Sequence, residues 1–523
     1  MRRSLIPVLA ALLVLLAAAG AGGEPADGSP LVGLWEFEKT GAAVGMDFMS
    51  YAEYTEDGTY IFQHVTGGEV RDVNICGYTD RDGSIAYDDN TWYTFTYSVE
   101  GDTLTVTRLS ASRYEEDSVT TWHRLTDRPP EIMTIRRSGD FFYMPDGGDA
   151  MLVKYGGSND PADTLTVPES LDGCRVTSLR ASVFEGCRKD TVILPDTVTA
   201  IPDSAFRRSD VRRIVIPDSV TEIGAYAFAE SSLTGIDLPQ GLLRIGPHAF
   251  EDSALMLIDL PDSLAVIEGN PFGSCENLER IRVGDGNPAF CLRDGALYSL
   301  EDQRLIWYPA GRLDEYFTVP DGIRTVGEGA FADNRHLKAV LLPGTVTEIG
   351  AFAFEGCTHL ESVEFSDSVQ AIGEYAFSGC WCLKKITVPD GITELADGVF
   401  HGAAELKSVH LPDTLTRIGS GAFYGCDSLT GVVIPDGVTE IGSMAFYCCY
   451  GLTEVTLPAG LEAIQGLAFY QCSGLTDLVI PAGVNRITAS AFDGCEKLTL
   501  TVTPGTWAER FCREQGLRYR CAE

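Results

Sequence analysis

Residues 429–449 read LTGVVIPDGVTEIGSMAFYCC, and the lines LTEVTLPAGLEAIQGLAFYQC (452–472) and LTDLVIPAGVNRITASAFDGC (475–495) follow at the same phase. The shared template is L-x-x-h-x-h-P-x-x-h-x-x-I-x-x-x-A-F-x-x-C, where h is aliphatic. Its anchor is the Phe. Phe331, Phe354, Phe377, Phe400, Phe423, Phe446, Phe469 and Phe492 recur every 23 residues; upstream, Phe184, Phe206, Phe228, Phe250 and Phe272 recur every 22. A fixed period in the twenties predicts a solenoid. One unit of such a chain cannot bury its apolar residues alone, and stacked neighbours bury them together.

The repeat can be read residue by residue. Val432 and Ile434 alternate with outward positions, which predicts a short strand with one buried face. Pro435 lacks a donor N–H and ends the ladder. Asp436-Gly437 turns the chain. Val438 and Ile441 point inward from a second short extended piece, Gly442 breaks it, and Met444-Ala445-Phe446 is expected to form one helical turn. The one-residue difference between the two periods falls in the turn between Phe and Pro, where the buried columns are not disturbed.

The pairs Ile434-Pro435, Ile441-Gly442 and Ala445-Phe446, repeated at each Phe anchor, resemble the BspA-type (Treponema pallidum-type) leucine-rich repeat. The resemblance runs from about Phe141 to the C-terminus. It implies an α/β solenoid, a right-handed stack of strands and short helices, on exported proteins of host-associated bacteria and some protists, several of which are adhesins.

The start of the chain has other rhythms. Arg2-Arg3 followed by the apolar run Leu5 to Ala19 and small residues reads as a signal peptide over 1–23, with A-x-A sites at 17–19 and 19–21. The run is short for a membrane anchor, and no other stretch is apolar enough to span. Residues 31–125 carry short alternating strands and tight turns, such as Tyr54 to Phe62 around Asp57-Gly58 and Trp92 to Val99 before Glu100-Gly101-Asp102. They predict a small antiparallel all-β barrel-like domain. Gly33-Leu34-Trp35 and the hairpins resemble the bacterial lipocalin-like domains, in which the Trp closes the barrel base. The span is short for a full lipocalin, so a side-chain-filled barrel is expected rather than a ligand cavity. Residues 126–140, with Pro129-Pro130, read as a linker, and 141–503 as the solenoid.

Phe272 to Phe331 spans 59 residues, a multiple of neither period. An irregular insertion at 284–316 is expected to add a hairpin and to bring Tyr298, Trp307 and Tyr308 together, either packed into the irregular coil or exposed as an aromatic contact. Residues 504–523, with Trp507 to Cys512 as a helix, read as a cap over the last coil, which would otherwise end in a sticky edge.

The net charge of −36 argues against nucleic acid as a partner. No H-E-x-x-H, G-x-S-x-G, C-x-x-C or phosphate-binding glycine loop occurs; no catalytic residue, metal ligand or cofactor is assigned, and an enzyme with an unrecognised site is the least favoured alternative. Eight of the fifteen cysteines share the column three after the Phe: Cys187, Cys275, Cys357, Cys380, Cys426, Cys449, Cys472 and Cys495. Stacked equivalents have parallel side chains where a bridge needs converging ones, so buried thiols are expected there. Cys512 and Cys521 are the best candidates for a bridge. His336 and His359 occupy equivalent turns, and Asp follows Pro in seven coils; both read as turn residues rather than metal ligands.

The function expected is protein–protein recognition or adhesion at the cell exterior by a secreted or surface-held monomer, its partner an extracellular protein of the host or a neighbouring cell. Small-ligand binding by the N-terminal barrel is the alternative. The residue two before each proline should point outward between two buried aliphatics. That column varies freely while the inward columns scarcely change, and it is expected to form a ladder roughly 60 Å long. Its candidate contact residues are Asp237, Asp259, Arg282, Leu341, Glu364, Thr387 and His410.

Overall fold

A computed structural model describes strands between residues 33 and 125, and residues 134–157 and 164–522. The expected leader at 1–23, and residues 126–133 of the expected linker, lie outside the described residues. The chain divides into two compact units, 1–219 and 220–523. Repeat coils run through both, and the repeat region is a β-solenoid of about 16 turns with little helix.

In the first unit, eight strands run from Gly33–Phe37 to Ser118–Leu125. They pair antiparallel in chain order and close into a barrel, with Leu34 opposite Leu125 and Phe37 opposite Trp122 at the seam. Trp35 is fully buried. Arg136–Ser138, inside the segment read as linker, is instead an edge strand paired with Phe141–Asp146. That strand turns at Gly147-Gly148, both at positive φ, into Asp149–Tyr155. Ile61 of the barrel packs with Phe142 and Val153 of this meander. Asp149–Tyr155 then pairs in parallel with Cys174–Leu179, where the coils begin. Thr164–Thr166, Thr191–Ile193 and Arg213–Val215 form the unit's parallel strand-face sheet.

The coil at 429–449 shows how the sequence builds the second unit. Gly431–Val433 is a strand in which Val432 is buried and Val433 is 69% exposed. Pro435 accepts the turn bond from the Val438 N–H at 3.0 Å, and Val438 and Ile441 are fully buried. The second strand, Glu440–Ile441, pairs with the equivalents one coil away on each side. Gly442 is needed for space: a Cβ there would lie 2.7 Å from the Gly419 carbonyl carbon.

The expected helical turn at Met444-Ala445-Phe446 is not helical. Met444 and Cys448 sit at φ +57° and +58°. Their left-handed conformation prevents an α-helix from propagating, and the freed N–H groups bond to the next coil instead. Met444, Phe446 and Cys448 donate to the carbonyls of Gly466, Ala468 and Tyr470 at 3.0, 2.7 and 2.8 Å. The same pair of left-handed positions, two before and two after the Phe, recurs at Leu467 and Gln471, and as glycine at Gly398, Gly402, Gly421 and Gly425. Among the described residues α-helix occurs at Trp507–Gln515, closed by Gly516 at φ +66°.

The anchors stack ring on ring. From Phe331 to Phe492 successive centroids lie 4.8 to 5.8 Å apart, within 22° of parallel. Each ring is almost or fully buried, so the column is the core. The insertion extends it. Strands Phe290–Arg293, Ala296–Ser299 and Arg304–Trp307 form an antiparallel meander. Trp307 packs on Phe272 at 5.6 Å and Tyr308 on Phe331 at 5.3 Å. Asn287 braces the meander, its Nδ2 donating to the Pro261 and Leu264 carbonyls and its Oδ1 accepting from the Ala289 and Phe290 N–H groups.

Candidate protein-recognition faces

The strand face follows from period-two alternation. Asp237, Asp259, Arg282, Leu341, Glu364, Thr387 and His410 are all exposed, flanked by inward apolar residues such as Ile258 and Leu260 or Val340 and Leu342. Parallel register sets neighbours side by side: Asp259 beside Arg282, Thr318 beside Leu341 beside Glu364, Thr387 beside His410, and Val433 beside Thr456. Within the second unit this is a series of hydrogen-bonded sheets rather than one unbroken ladder. One break falls where the chain leaves Arg280–Val283 for the meander and returns at Tyr316–Thr318. Arg282 and Asp259 approach to 3.9 Å and both stay well exposed; a solvated pair of this kind contributes little stability and leaves both charges available.

Tyr298, Trp307 and Tyr308 are a correction. All three are buried, so they are not an exposed contact. The insertion supplies them to the aromatic column, and burial outweighs exposure for rings of this size. The Tyr308 hydroxyl donates to Asp314 at 2.9 Å, with Arg312 on the same carboxylate. Burial, and that hydrogen bond for Tyr308, raises both phenols above the ordinary range.

The column cysteines are free thiols. Cys357, Cys380, Cys426, Cys449 and Cys472 donate to the carbonyl of the Phe in the preceding coil at 3.0 to 3.3 Å. Burial raises the pKa of Cys357, Cys380, Cys426 and Cys449, and that of Cys275 to about 11; the hydrogen bond with Cys495, and then burial, raises that of Cys472. Such thiols are poor nucleophiles. The candidate pair Cys512 and Cys521 is unbridged; Cys512 is buried on the helix and Cys521 is exposed on the last strand. His336 and His359 are exposed turn residues.

Other features escaped the sequence reading. One residue after the Phe, His401, Tyr424, Tyr447 and Tyr470 form a second stacked column at 4.5, 4.6 and 4.6 Å. It runs through only four coils, too few to register as a period. His248 lies between Glu251 (3.5 Å) and Glu328 (3.9 Å), stacked on Tyr226. The Glu251 hydrogen bond raises its pKa against the opposing effect of burial. Glu328 is distant in sequence, so no local motif announces the cluster.

The fold and the exposed column define a repeat scaffold that presents a variable surface. The BspA type leucine rich repeat region matches in six copies over residues 177–290, 313–410 and 393–509. The chain therefore belongs to the BspA-type leucine-rich repeat family. Among solved structures it is similar to a leucine-rich repeat protein from Eubacterium ventriosum (24% identity, 68% of this chain and 93% of that one, TM-score 0.54). It is also similar to one from Bacteroides ovatus (26%, 74% and 100%, 0.43) and to the pneumococcal vaccine antigen PcpA (20%, 75% and 99%, 0.45). No curated protein matches the chain.

Proposed function

We propose that this chain is a non-enzymatic protein-recognition scaffold of the bacterial exterior, binding an extracellular protein through the solenoid strand face as a monomer. The observation that carries the reading is the outward column. Inward positions hold the same few aliphatics in coil after coil, whereas the exposed neighbours change from Asp259 to Arg282, Leu341, Glu364, Thr387 and His410. Extended solenoid faces are the usual binding surfaces of repeat proteins. Export through residues 1–23 is supported by the Arg2-Arg3 start and the apolar run to Ala19. The proposed arrangement is leader, barrel (31–125), linker (126–140), solenoid (141–503, insertion 284–316) and cap (504–523).

The test compares the full chain with a variant carrying Arg282→Glu, Glu364→Lys and His410→Ala, each immobilised against extracellular proteins of a host. A partner held by the first and released by the second is the expected result. Equal capture by both rejects the strand face. A second reading, small-ligand binding by a lipocalin-like barrel, is supported by the closure of the eight strands. Displacement of a solvatochromic dye from the full chain by apolar small molecules tests it.

A further inference from the structure

The turn edge of the coils carries two exposed rings that the strand-face reading does not use. Trp381 is 59% and Tyr450 46% exposed, each directly after a column cysteine. Their turns are built alike: the N–H groups of Trp381, Ala404 and Tyr450 bond to the carbonyls two residues back, Gly379, Gly402 and Cys448, at 2.9, 2.8 and 2.9 Å. Coil-to-coil bonds hold the register. The N–H groups of Glu405, Ser428 and Gly451 donate to the carbonyls of Trp381, Ala404 and Asp427 at 2.9, 3.0 and 2.9 Å. Trp381, Ala404, Asp427 and Tyr450 are therefore successive members of one outward column. At about 4.8 Å per coil, three steps set the two rings roughly 14 Å apart, with small Ala404 and the exposed Asp427 between them.

The chemistry of this saddle has one sign. Its walls are an indole and a phenol, whose faces attract cations. The Tyr450 hydroxyl donates to Gln471 Oε1 at 3.4 Å, which ties that ring to the coil beyond. The Asp427 carboxylate has no ion pair or side-chain hydrogen bond among the described residues. Partial burial raises its pKa, and the exposed carboxylate is open to a cation. Glu405 is exposed beside the Trp381 turn. The net charge of −36 adds a long-range attraction for positive partners. A guanidinium meets these demands best, since it is flat, weakly hydrated, stacks on aromatic faces and pairs with a carboxylate through a fork of donors.

We infer that the saddle between Trp381 and Tyr450 binds an arginine-bearing extended segment of a partner protein, with Asp427 as counter-ion. The inference rests on the protein-recognition reading and adds to it a second face and the chemical class of the partner segment.

The test is fluorescence anisotropy of a labelled peptide alternating glycine and arginine, titrated with the full chain at about 150 mM salt, where long-range attraction is screened. The neutral isostere with citrulline for arginine is the control. Saturable binding is expected for the arginine peptide, weaker by about tenfold or more for citrulline, and weaker by about tenfold in Trp381→Ala and in Asp427→Asn. Trp381→Phe should restore most of the affinity, which separates ring contact from any loss of fold. Equal binding of the two peptides, or unchanged affinity in Trp381→Ala, overturns the inference, as does displacement of the peptide by a neutral oligosaccharide that binds the saddle more tightly. Loss of peptide binding only in the strand-face variant overturns it too, and assigns the cationic segment to the strand face. If the arginine peptide does not bind, the saddle assignment fails alone, because the strand face is tested by its own variant and partner.

Discussion

Phe423→Ala measures how the solenoid distributes its stability. Phe423 is fully buried, stacked on Phe400 at 5.5 Å and on Phe446 at 5.2 Å. Its carbonyl accepts the Cys449 thiol at 3.1 Å, and its N–H donates to the Ala445 carbonyl at 2.8 Å. The substitution keeps both backbone bonds and removes the ring from two interfaces. Truncation of a buried Phe costs about 3–5 kcal/mol. The upper half of that range is expected, because the rigid coil ladders on either side resist collapse into the cavity. In a quasi-one-dimensional array the loss stays near the weakened interfaces. Urea unfolding combined with hydrogen exchange resolved by coil reads both quantities. Protection should fall at the amides of Phe423, Phe400 and their neighbours, while the coils around Phe250 keep theirs. A global cost below about 1 kcal/mol, or a loss of protection spread evenly over all coils, would refute the assignment of the Phe column as a core with nearest-neighbour coupling.

Gly402 sits at φ +72°, and a Cβ added there would meet nothing closer than 3.8 Å, so Gly402→Ala should cost only the left-handed penalty of about 1–2 kcal/mol. Met444→Gly, at φ +57° and 40% exposed, should recover up to about 1 kcal/mol; thermal unfolding of both variants checks the pair, and a stabilising Gly402→Ala would sink it. His248 has a raised folded pKa, so its stabilising contribution is complete below the unfolded value near 6.5 and fades as pH rises through the folded value. The stability difference between the wild type and His248→Asn should therefore shrink from pH 5.5 to pH 8, and a pH-independent difference would remove Glu251 and Glu328 as its partners. Alkylation without reductant should leave Cys357, Cys380, Cys426, Cys449 and Cys472 untouched in the native chain and label all five in denaturant, as counted by intact mass. Failure to label them in denaturant would mean that they are bridged.

Much of the fold was legible because the core repeats. Phe331 to Phe492 fix the phase, Pro435 and its equivalents end the strands, and alternation at Val432, Val433 and Ile434 tells the buried face from the exposed one. The conformation between the columns was not legible. Met444-Ala445-Phe446 has the composition of a helical turn, and nothing in Met444, Leu467, Tyr375 or Phe352 marks a left-handed residue, although all four have φ between +53° and +59°. Glycine at the equivalent Gly398 and Gly421 was the available signal. The bonds to the next coil impose the conformation, and local preference yields to them. At the insertion the hairpin was legible but the exposure of its rings was not. Exposure of Tyr298, Trp307 and Tyr308 depends on whether the meander lies over the stack or within it, and the sequence names the rings without stating the layer.

The position three after each Phe shows what this architecture selects. In the second unit it holds Ser231, Ser253, Cys275, Asn334, Cys357, Cys380, Ala403, Cys426, Cys449, Cys472 and Cys495. Hydrophobicity alone does not explain a set that admits Ser and Asn; small size and, at every position but Ala403, a donor explain it better. Each Phe carbonyl accepts one N–H from its own turn, such as Cys426 N–H to Phe423 at 3.2 Å, and retains a lone pair in a layer closed to water. The thiols of Cys449 and Cys472 meet that second lone pair from the following coil, and Ser231 meets the one in its own coil at 2.6 Å. Asn334 stands where the stack resumes after the insertion. It reaches the Pro309 carbonyl with Nδ2 and the His336 and Leu337 N–H groups with Oδ1, more than a thiol could satisfy. Cysteine dominates the column because a thiol combines the small apolar body that the core requires with a weak donor. The column cysteines therefore belong to the packing of the coils.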